Sequence, residues 1–316
     1  MTKTTLRRPP KESIELVLGA GGVEGPAHIG VLRCLEERQV PISKITGASV
    51  GALIAAFIAN GYDSKQLKEI FLSESFRYPG WDVWSQCLRS PSFSQFVPPM
   101  TADPSAWANY YLNILWPWVI DFKPWIKAVV DEYGLKPQEN LRMVAADLYT
   151  RKGFVFEGTD YDLVDGLAGS TAAISGLGMR PVWYPAGEPH SHGPHECDGP
   201  NGHVLIDGFY YHPIPAALCE TRPAIVSKIG FATQLPAERL SPWDYFMHLR
   251  EMSLAPYFDT VYPDPTGHII IESGLRNVAS TNFGVSRRTL EELVEHGYRA
   301  ACQRLDREDF LALCKD

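Results

Sequence analysis

The spacing of apolar positions divides the first sixty residues into two similar units. Ser13-Ile-Glu-Leu-Val-Leu18 is a short β-rich apolar run closed by glycines, which predicts a buried strand. Gly19-Ala-Gly-Gly-Val-Glu-Gly25 turns the chain, and from Ala27 to Arg38 apolar residues fall at Ile29, Leu32 and Leu35 with charges between them, a helical spacing. The second unit follows directly. Ile42 to Thr46 suits a strand, Gly47-Ala-Ser-Val-Gly51 a sharp turn, and Val50 to Asn60 a nearly all-apolar helix that Gly61 stops. Strand, turn, helix, repeated, predicts a parallel sheet covered by helices.

Residues 76–125 break this pattern. They hold six of the eight tryptophans and seven prolines, which predicts a helical, proline-broken insertion. Regular patterning returns at Leu141-Arg-Met-Val-Ala-Ala146, Gly153-Phe-Val-Phe-Glu157 and Val204-Leu-Ile206, three predicted strands, while 185–202 is a Gly/Pro/His loop. A closing helix is predicted from a capping-box pattern at Thr289 to Glu292, running to about Leu305. There is no internal repeat and no linker long enough to separate one domain from another, so residues 13–316 read as one α/β domain behind a flexible arm, 1–12.

Composition narrows the function. At 316 residues, 45% hydrophobic and 21% charged, the chain has material for a large core, and disorder, collagen-like and coiled-coil classes fall away. A net charge of -8 argues against nucleic acid as a broad-surface partner. The six cysteines contain no C-x-x-C pair, which points to reduced thiols in a cytoplasmic setting, with Cys34 as a small core residue of a helix. No apolar run approaches the roughly 20 residues of a membrane span, so membrane contact would be peripheral.

Three motifs carry chemistry. Gly47-Ala-Ser-Val-Gly51 is a G-x-S-x-G pattern between strand and helix. A nucleophilic serine needs this sharp turn, with glycines removing side-chain clashes and the helix N-terminus facing the developing oxyanion. A serine that merely caps the helix is the plainer alternative. Gly21-Gly-Val-Glu-Gly25 offers backbone amides to an anion, as a phosphate cradle or an oxyanion hole. Both nucleotide signatures fail: Glu24 replaces the last glycine of G-x-G-x-x-G, and no Lys-Ser or Lys-Thr follows. Asp207-Gly208, directly after an apolar strand, supplies a carboxylate able to serve as base, or simply a turn.

Together these motifs resemble the patatin-like phospholipase family. The resemblance rests on Leu18-Gly-Ala-Gly-Gly-Val-Glu-Gly-Pro-Ala-His-Ile-Gly-Val-Leu32, Ile45-Thr-Gly-Ala-Ser-Val-Gly-Ala-Leu53 and Ile206-Asp-Gly208 with Pro213-Ile-Pro215 behind it. Ser170-Thr-Ala-Ala-Ile-Ser175 with Arg180-Pro-Val182 looks like the family's small-residue segment, although Ser175 stands where a proline is usual. The resemblance implies a mostly parallel central sheet with helices on both faces. It also implies a lipid acyl hydrolase acting on a lipid or acyl-ester substrate through a Ser-Asp dyad, without metal or cofactor. Ser49 would be the nucleophile between Gly47 and Gly51, Asp207 its partner in the motif with Gly208, and the amides of Gly21, Gly22, Val23, Glu24 and Gly25 the oxyanion hole. Family members usually carry Arg or Lys at the position of Glu24, and its loss implies a preference for neutral or zwitterionic esters.

Other readings stay open at this point. An acyltransferase would use the same acyl-enzyme, and a silent lipid-binding protein would keep the pocket without turnover. A histidine triad is disfavoured because Ser49 comes so soon after the first strand; His28 reads as a helix residue packed near the glycine loop. His190, His192, His195, Cys197, Asp198 and His203 are potential metal ligands in no familiar zinc spacing. Trp107, Tyr110, Tyr111, Leu115, Trp116, Trp118, Phe122 and Trp125 are either core or a cap over an acyl pocket that touches a membrane surface. Oligomeric state is left open.

Overall fold

A computed structural model describes residues 13–73, 76, 122–172, 181–185, 202–220, 223–229, 267–275, 278 and 285–306. The N-terminal arm, most of the aromatic insertion including Trp107 to Trp118, Ser175 and the His-rich loop up to Asp198 lie outside these residues.

The two opening units form as their apolar spacing requires. Strand β1 (Ile14–Leu18) is buried throughout, a 3-10 turn (Gly22–Glu24) follows, and helix α1 (Pro26–Glu37) begins with a proline, where a missing N–H costs nothing. Strand β2 (Ile42–Ala48) leads into α2 (Val50–Ala59), an apolar helix packed against β1, β2 and a third strand. Gly61, at φ +87°, takes the left-handed turn after it. Helix α3 (Ser64–Phe71) has a complete capping box between Asp63 and Gln66. Helix α4 (Lys123–Tyr133) precedes β3 (Leu141–Asp147) and β4 (Lys152–Glu157); α5 (Leu163–Thr171) is capped by Asp162. Short strands β5 (Val182–Tyr184), β6 (His203–Asp207), β7 (Ile225–Lys228) and β8 (Ile269–Glu272) complete the sheet, and α6 (Arg287–Leu305) closes the described chain. The C-terminal helix starts two residues earlier than its sequence pattern suggests, because Ser286, rather than Thr289, is its cap, the Ser286 side chain accepting the Thr289 amide in the first turn.

The strands run in the order β5-β6-β3-β2-β1-β7-β8, with β4 also on β3. Strands β3, β2, β1, β7 and β8 are parallel to their neighbours in that series; β4, β5 and β6 are joined antiparallel. The register around β3 matters most. Its residues 142–147 pair with β4, which occupies one edge. On the other edge β2 pairs with 141–144 and β6 with 145–147 from the opposite direction. A strand has only two edges, so β2 and β6 share one and their C-terminal ends meet head to head, Ala48 opposite Val144 and Asp207 opposite Ala145.

The main core lies on one face of the sheet. Leu16, Leu18, Ile45, Met143, Phe154 and Leu205 point into it, against apolar stripes from the six α-helices of the described residues. Phe122 and Trp125 stack 4.6 Å apart on this core, so this end of the aromatic segment is packing. On the other face Val17, Val226 and Ile270 are covered, among the described residues, by Ile214 and Ala216 of the 3-10 helix Pro215–Leu218 and the residue before it. Helices α1 and α6 cross at backbone contact: a Cβ on Gly30 would press into the Val294 carbonyl, and one on Gly297 into that of Ala27. Beside this crossing Cys34, fully buried, has its Sγ 3.0 Å from that of Cys302. Burial pushes the Cys34 thiol up to about 12, so it stays protonated near neutral pH. Among the described residues no helix is long and apolar enough to cross a membrane.

Candidate active site

Head-to-head strands bring together two residues 158 positions apart. Ser49 follows the last residue of β2, Asp207 is the last residue of β6, and the Ser49 hydroxyl donates to Asp207 Oδ2 at 2.7 Å. Both are buried, at 8% and 3% exposure, so this bond is sheltered from competition by bulk water. Ser49 sits at φ 55° and ψ -127°, a conformation that a non-glycine residue holds only when its surroundings enforce it. It occupies the N-cap of α2, yet its side chain makes no capping bond. The hydroxyl is therefore committed to Asp207, and the capping alternative is set aside.

The flanking glycines show why the turn has this composition. A Cβ on Gly47 would meet the backbone of Gly51 and Ala52, and one on Gly51 would press into the Leu18 carbonyl and stand 2.7 Å from that of Gly19. Strand ends, helix start and the first residue of the glycine loop thus touch through bare backbone. Ser170, on α5, holds the turn from behind: its Oγ accepts the Ser49 amide at 3.1 Å and donates to Val144 O at 2.6 Å. The sequence marks this residue only as a member of a small-residue segment. Its role depends on α5 lying across β3, which no local pattern reveals.

Asp207 uses its two oxygens differently. Oδ1 accepts the Phe209 amide at 2.8 Å, a local turn contact, while Oδ2 faces Ser49. The turn reading of the Asp-Gly pair is met at Oδ1, and Oδ2 is left to the Ser49 hydroxyl. Gly208 is required beside it, since a Cβ there would press into the Val144 carbonyl.

The glycine loop lies against the start of α2, where a Cβ on Gly25 would strike Val50. The amides of Glu24 and Gly25 donate to Gly21 O and Gly22 O within the 3-10 turn, each at 3.1 Å. Among the described residues no acceptor is paired with the amides of Gly21, Gly22 or Val23. The five residues of the loop therefore divide into two amides bonded within the turn and three with no acceptor among the described residues. Glu24 is 1% exposed, and its Oε2 accepts the Leu275 amide at 3.1 Å. Its carboxylate is thus engaged with the backbone beyond β8.

Two histidines are placed as well. His28 on α1 is fully buried, with Nε2 2.9 Å from Gly19 O and Nδ1 2.7 Å from Ser227 Oγ. Burial drives its pKa down to about 4, against the smaller upward pull of the Gly19 contact, so the ring is neutral at pH 7. His203, on β6, lies 3.0 Å from Asp147 Oδ2 in a buried pair. Burial alone would raise the Asp147 carboxyl, but hydrogen bonds from His203, Thr150 and the amides of Tyr149 and Val204 hold it below the usual range. This pair braces the β3–β4 turn. Among the described residues no group of three or more His, Cys, Asp or Glu is arranged to hold a metal.

Comparison with known proteins bears on the family of the chain. The lysophospholipase NTE1 of Candida glabrata is 46% identical over 52 residues, 16% of this chain and 3% of that protein. That of Pyricularia oryzae is 44% identical over 83 residues, 26% and 5% of the two chains. Patatin-like phospholipase domain-containing protein 6 of Mus musculus is 44% identical over 57 residues, 18% and 4%. The chain thus spans only a few percent of the length of these relatives. Among solved structures, VipD from Legionella pneumophila superposes with a TM-score of 0.44 at 14% identity, covering 97% of this chain and 72% of that one. The sequence profile of the patatin-like phospholipases matches residues 16–219, a span that contains the glycine loop, Ser49, Ser170 and Asp207. This chain belongs to the patatin-like phospholipase family.

Proposed function

We propose that the protein hydrolyses carboxylic esters of lipids, phospholipids or lysophospholipids, through a serine acyl-enzyme. The observation that carries this is the 2.7 Å bond from the Ser49 hydroxyl to Asp207 in a buried site. Asp207 takes the hydroxyl proton as Ser49 Oγ attacks the acyl carbonyl. The amides of Gly21, Gly22 and Val23 and the N-terminus of α2 stabilise the tetrahedral oxyanion. The proton passes to the leaving alcohol, and water, deprotonated in turn by Asp207, releases the fatty acid. No third catalytic group is needed, since Asp207 both orients and deprotonates the serine.

Glu24 bears on the substrate. The loop offers no cation where the family usually has one, and its carboxylate is turned onto Leu275, which supports a preference for zwitterionic over anionic headgroups. Release of fatty acid from lysophosphatidylcholine micelles, and its loss by at least about 1,000-fold in Ser49→Ala and Asp207→Asn, tests the reaction. Faster turnover of anionic than zwitterionic lipid in mixed micelles would overturn the headgroup preference alone.

A further inference from the structure

Beneath the glycine loop lies a buried polar chain that the reaction itself does not use. His28, Ser227 and Ser273 are all fully buried, and they link three elements: α1, β7 and the end of β8. A carbonyl oxygen only accepts, so the ring nitrogen facing Gly19 O at 2.9 Å, Nε2, carries the proton. In the neutral ring Nδ1 is then an acceptor, and the Ser227 hydroxyl donates to it at 2.7 Å. Ser273 Oγ stands 2.8 Å from Ser227 Oγ and 3.1 Å from Lys228 O, which completes the chain. Histidine suits this place because one small ring presents a donor and an acceptor on opposite sides.

What the chain holds is the peptide between Gly19 and Ala20. The Gly19 amide donates to Ser227 O at 3.0 Å, its carbonyl accepts from His28, and the Ala20 amide donates to Pro213 O at 2.8 Å. This peptide immediately precedes Gly21, Gly22 and Val23. Turning it over would break the His28 and Pro213 contacts together, and would drive the carbonyl off its present seat beside Gly51. The direction of the next amides depends on that plane.

We infer that His28 is a positioning residue for the oxyanion hole: through its Nε2–H bond to the Gly19 carbonyl, with Ser227 and Ser273 fixing the ring, it holds the Gly19–Ala20 peptide and so aims the amides that follow. The inference rests on the hydrolase reading above. It also gives a role to the stretch of chain beyond residue 219, where the family match ends, since Ser227 and Ser273 both lie there. A preorganised donor set acts on the charge of the transition state more than on the bound ester, so the effect belongs to kcat rather than KM.

Two near-isosteric amides separate the contacts. Gln places its amide near the Nε2 position and keeps a donor toward Gly19, whereas Asn reaches only the Nδ1 position and keeps the Ser227 contact. The full-length protein, His28→Gln and His28→Asn are compared in hydrolysis of p-nitrophenyl butyrate and in thermal melting, and the imidazole tautomer of the wild type is read by nitrogen-15 NMR. The expected result is a His28→Gln variant within about threefold of wild-type kcat. His28→Asn should lose about 10- to 100-fold in kcat at unchanged KM, with melting temperatures of the two alike. Equal kcat in the two variants, or losses that follow melting temperature, would overturn the role. A folded wild type without esterase activity would refute the hydrolase reading instead. The tautomer then still judges the geometry: an Nε2–H ring supports it, and an Nδ1–H or charged ring at pH 7 overturns it.

Discussion

Ser49 is held at three points, two by hydrogen bonds and one by close backbone packing. Its hydroxyl is fixed by Asp207, its amide by Ser170, and its backbone by a turn that leaves no room for side chains at Gly47 or Gly51. Removing the middle hold tests it separately. Ser170→Ala leaves the Ser49 amide and the Val144 carbonyl without this partner in a buried place, and should cost about 1–3 kcal/mol of stability in urea titration together with about tenfold in kcat. His28 gives a second prediction at this scale. Its pKa is near 4 in the folded protein against 6.5 for the free side chain, so the unfolded chain binds the extra proton first. The neutral buried ring therefore supports the full stability above about pH 6.5, and stability falls as pH drops from there toward 4, by about 3 kcal/mol in all. Urea midpoints across that range should show a slope that His28→Gln lacks.

At the scale of elements, close backbone approach decides which glycines matter. Gly30→Ala forces a methyl group into the Val294 carbonyl at the crossing of α1 and α6, neither of which can yield alone, and should cost about 3 kcal/mol or more. Gly61→Ala meets nothing within 4 Å and bears only the strain of φ +87°, about 1 kcal/mol. Denaturant titrations of the two variants should keep that order; equal losses would contradict it. Elements are legible in the sequence where one local rule governs them. The first two units and β3, β4 and β6 follow from periodicity, and their limits differ by a residue or two. The start of α6 is not legible in this way, because Thr289 and Ser286 are both able caps and only the backbone direction ahead of the helix chooses between them. Helix α3 is legible in Leu67, Ile70 and Phe71 at helical spacing behind an Asp63 cap, whereas α5 is hidden from periodicity because Gly166 and Gly169 weaken its pattern, although its Asp162 cap could mark it.

Across the whole molecule, the site is made by topology. Nothing in the local sequence says that β2 and β6 share an edge of β3, yet that arrangement alone brings Asp207 to Ser49. The three motifs are readable because each needs particular residues at fixed spacing; their braces are not, because Ser170, Ser227 and Leu275 are ordinary residues whose value lies in where the sheet and helices carry them. The same reasoning predicts that the segment matching the family profile cannot stand alone. A fragment ending at residue 219 loses β7 from the edge of β1, β8 beyond it, and α6 from its backbone contact with α1. It should lack a cooperative thermal transition by circular dichroism, and a cooperative one would show that the core closes without them.

The central claim, a serine activated by a single carboxylate, is tested most directly by intact-mass analysis after reaction with a fluorophosphonate ester, on the folded wild type, Ser49→Ala and Asp207→Asn. The account predicts one adduct that maps to Ser49, absent in Ser49→Ala and formed far more slowly in Asp207→Asn. An adduct elsewhere, or one formed as quickly without the Asp207 carboxylate, would contradict it.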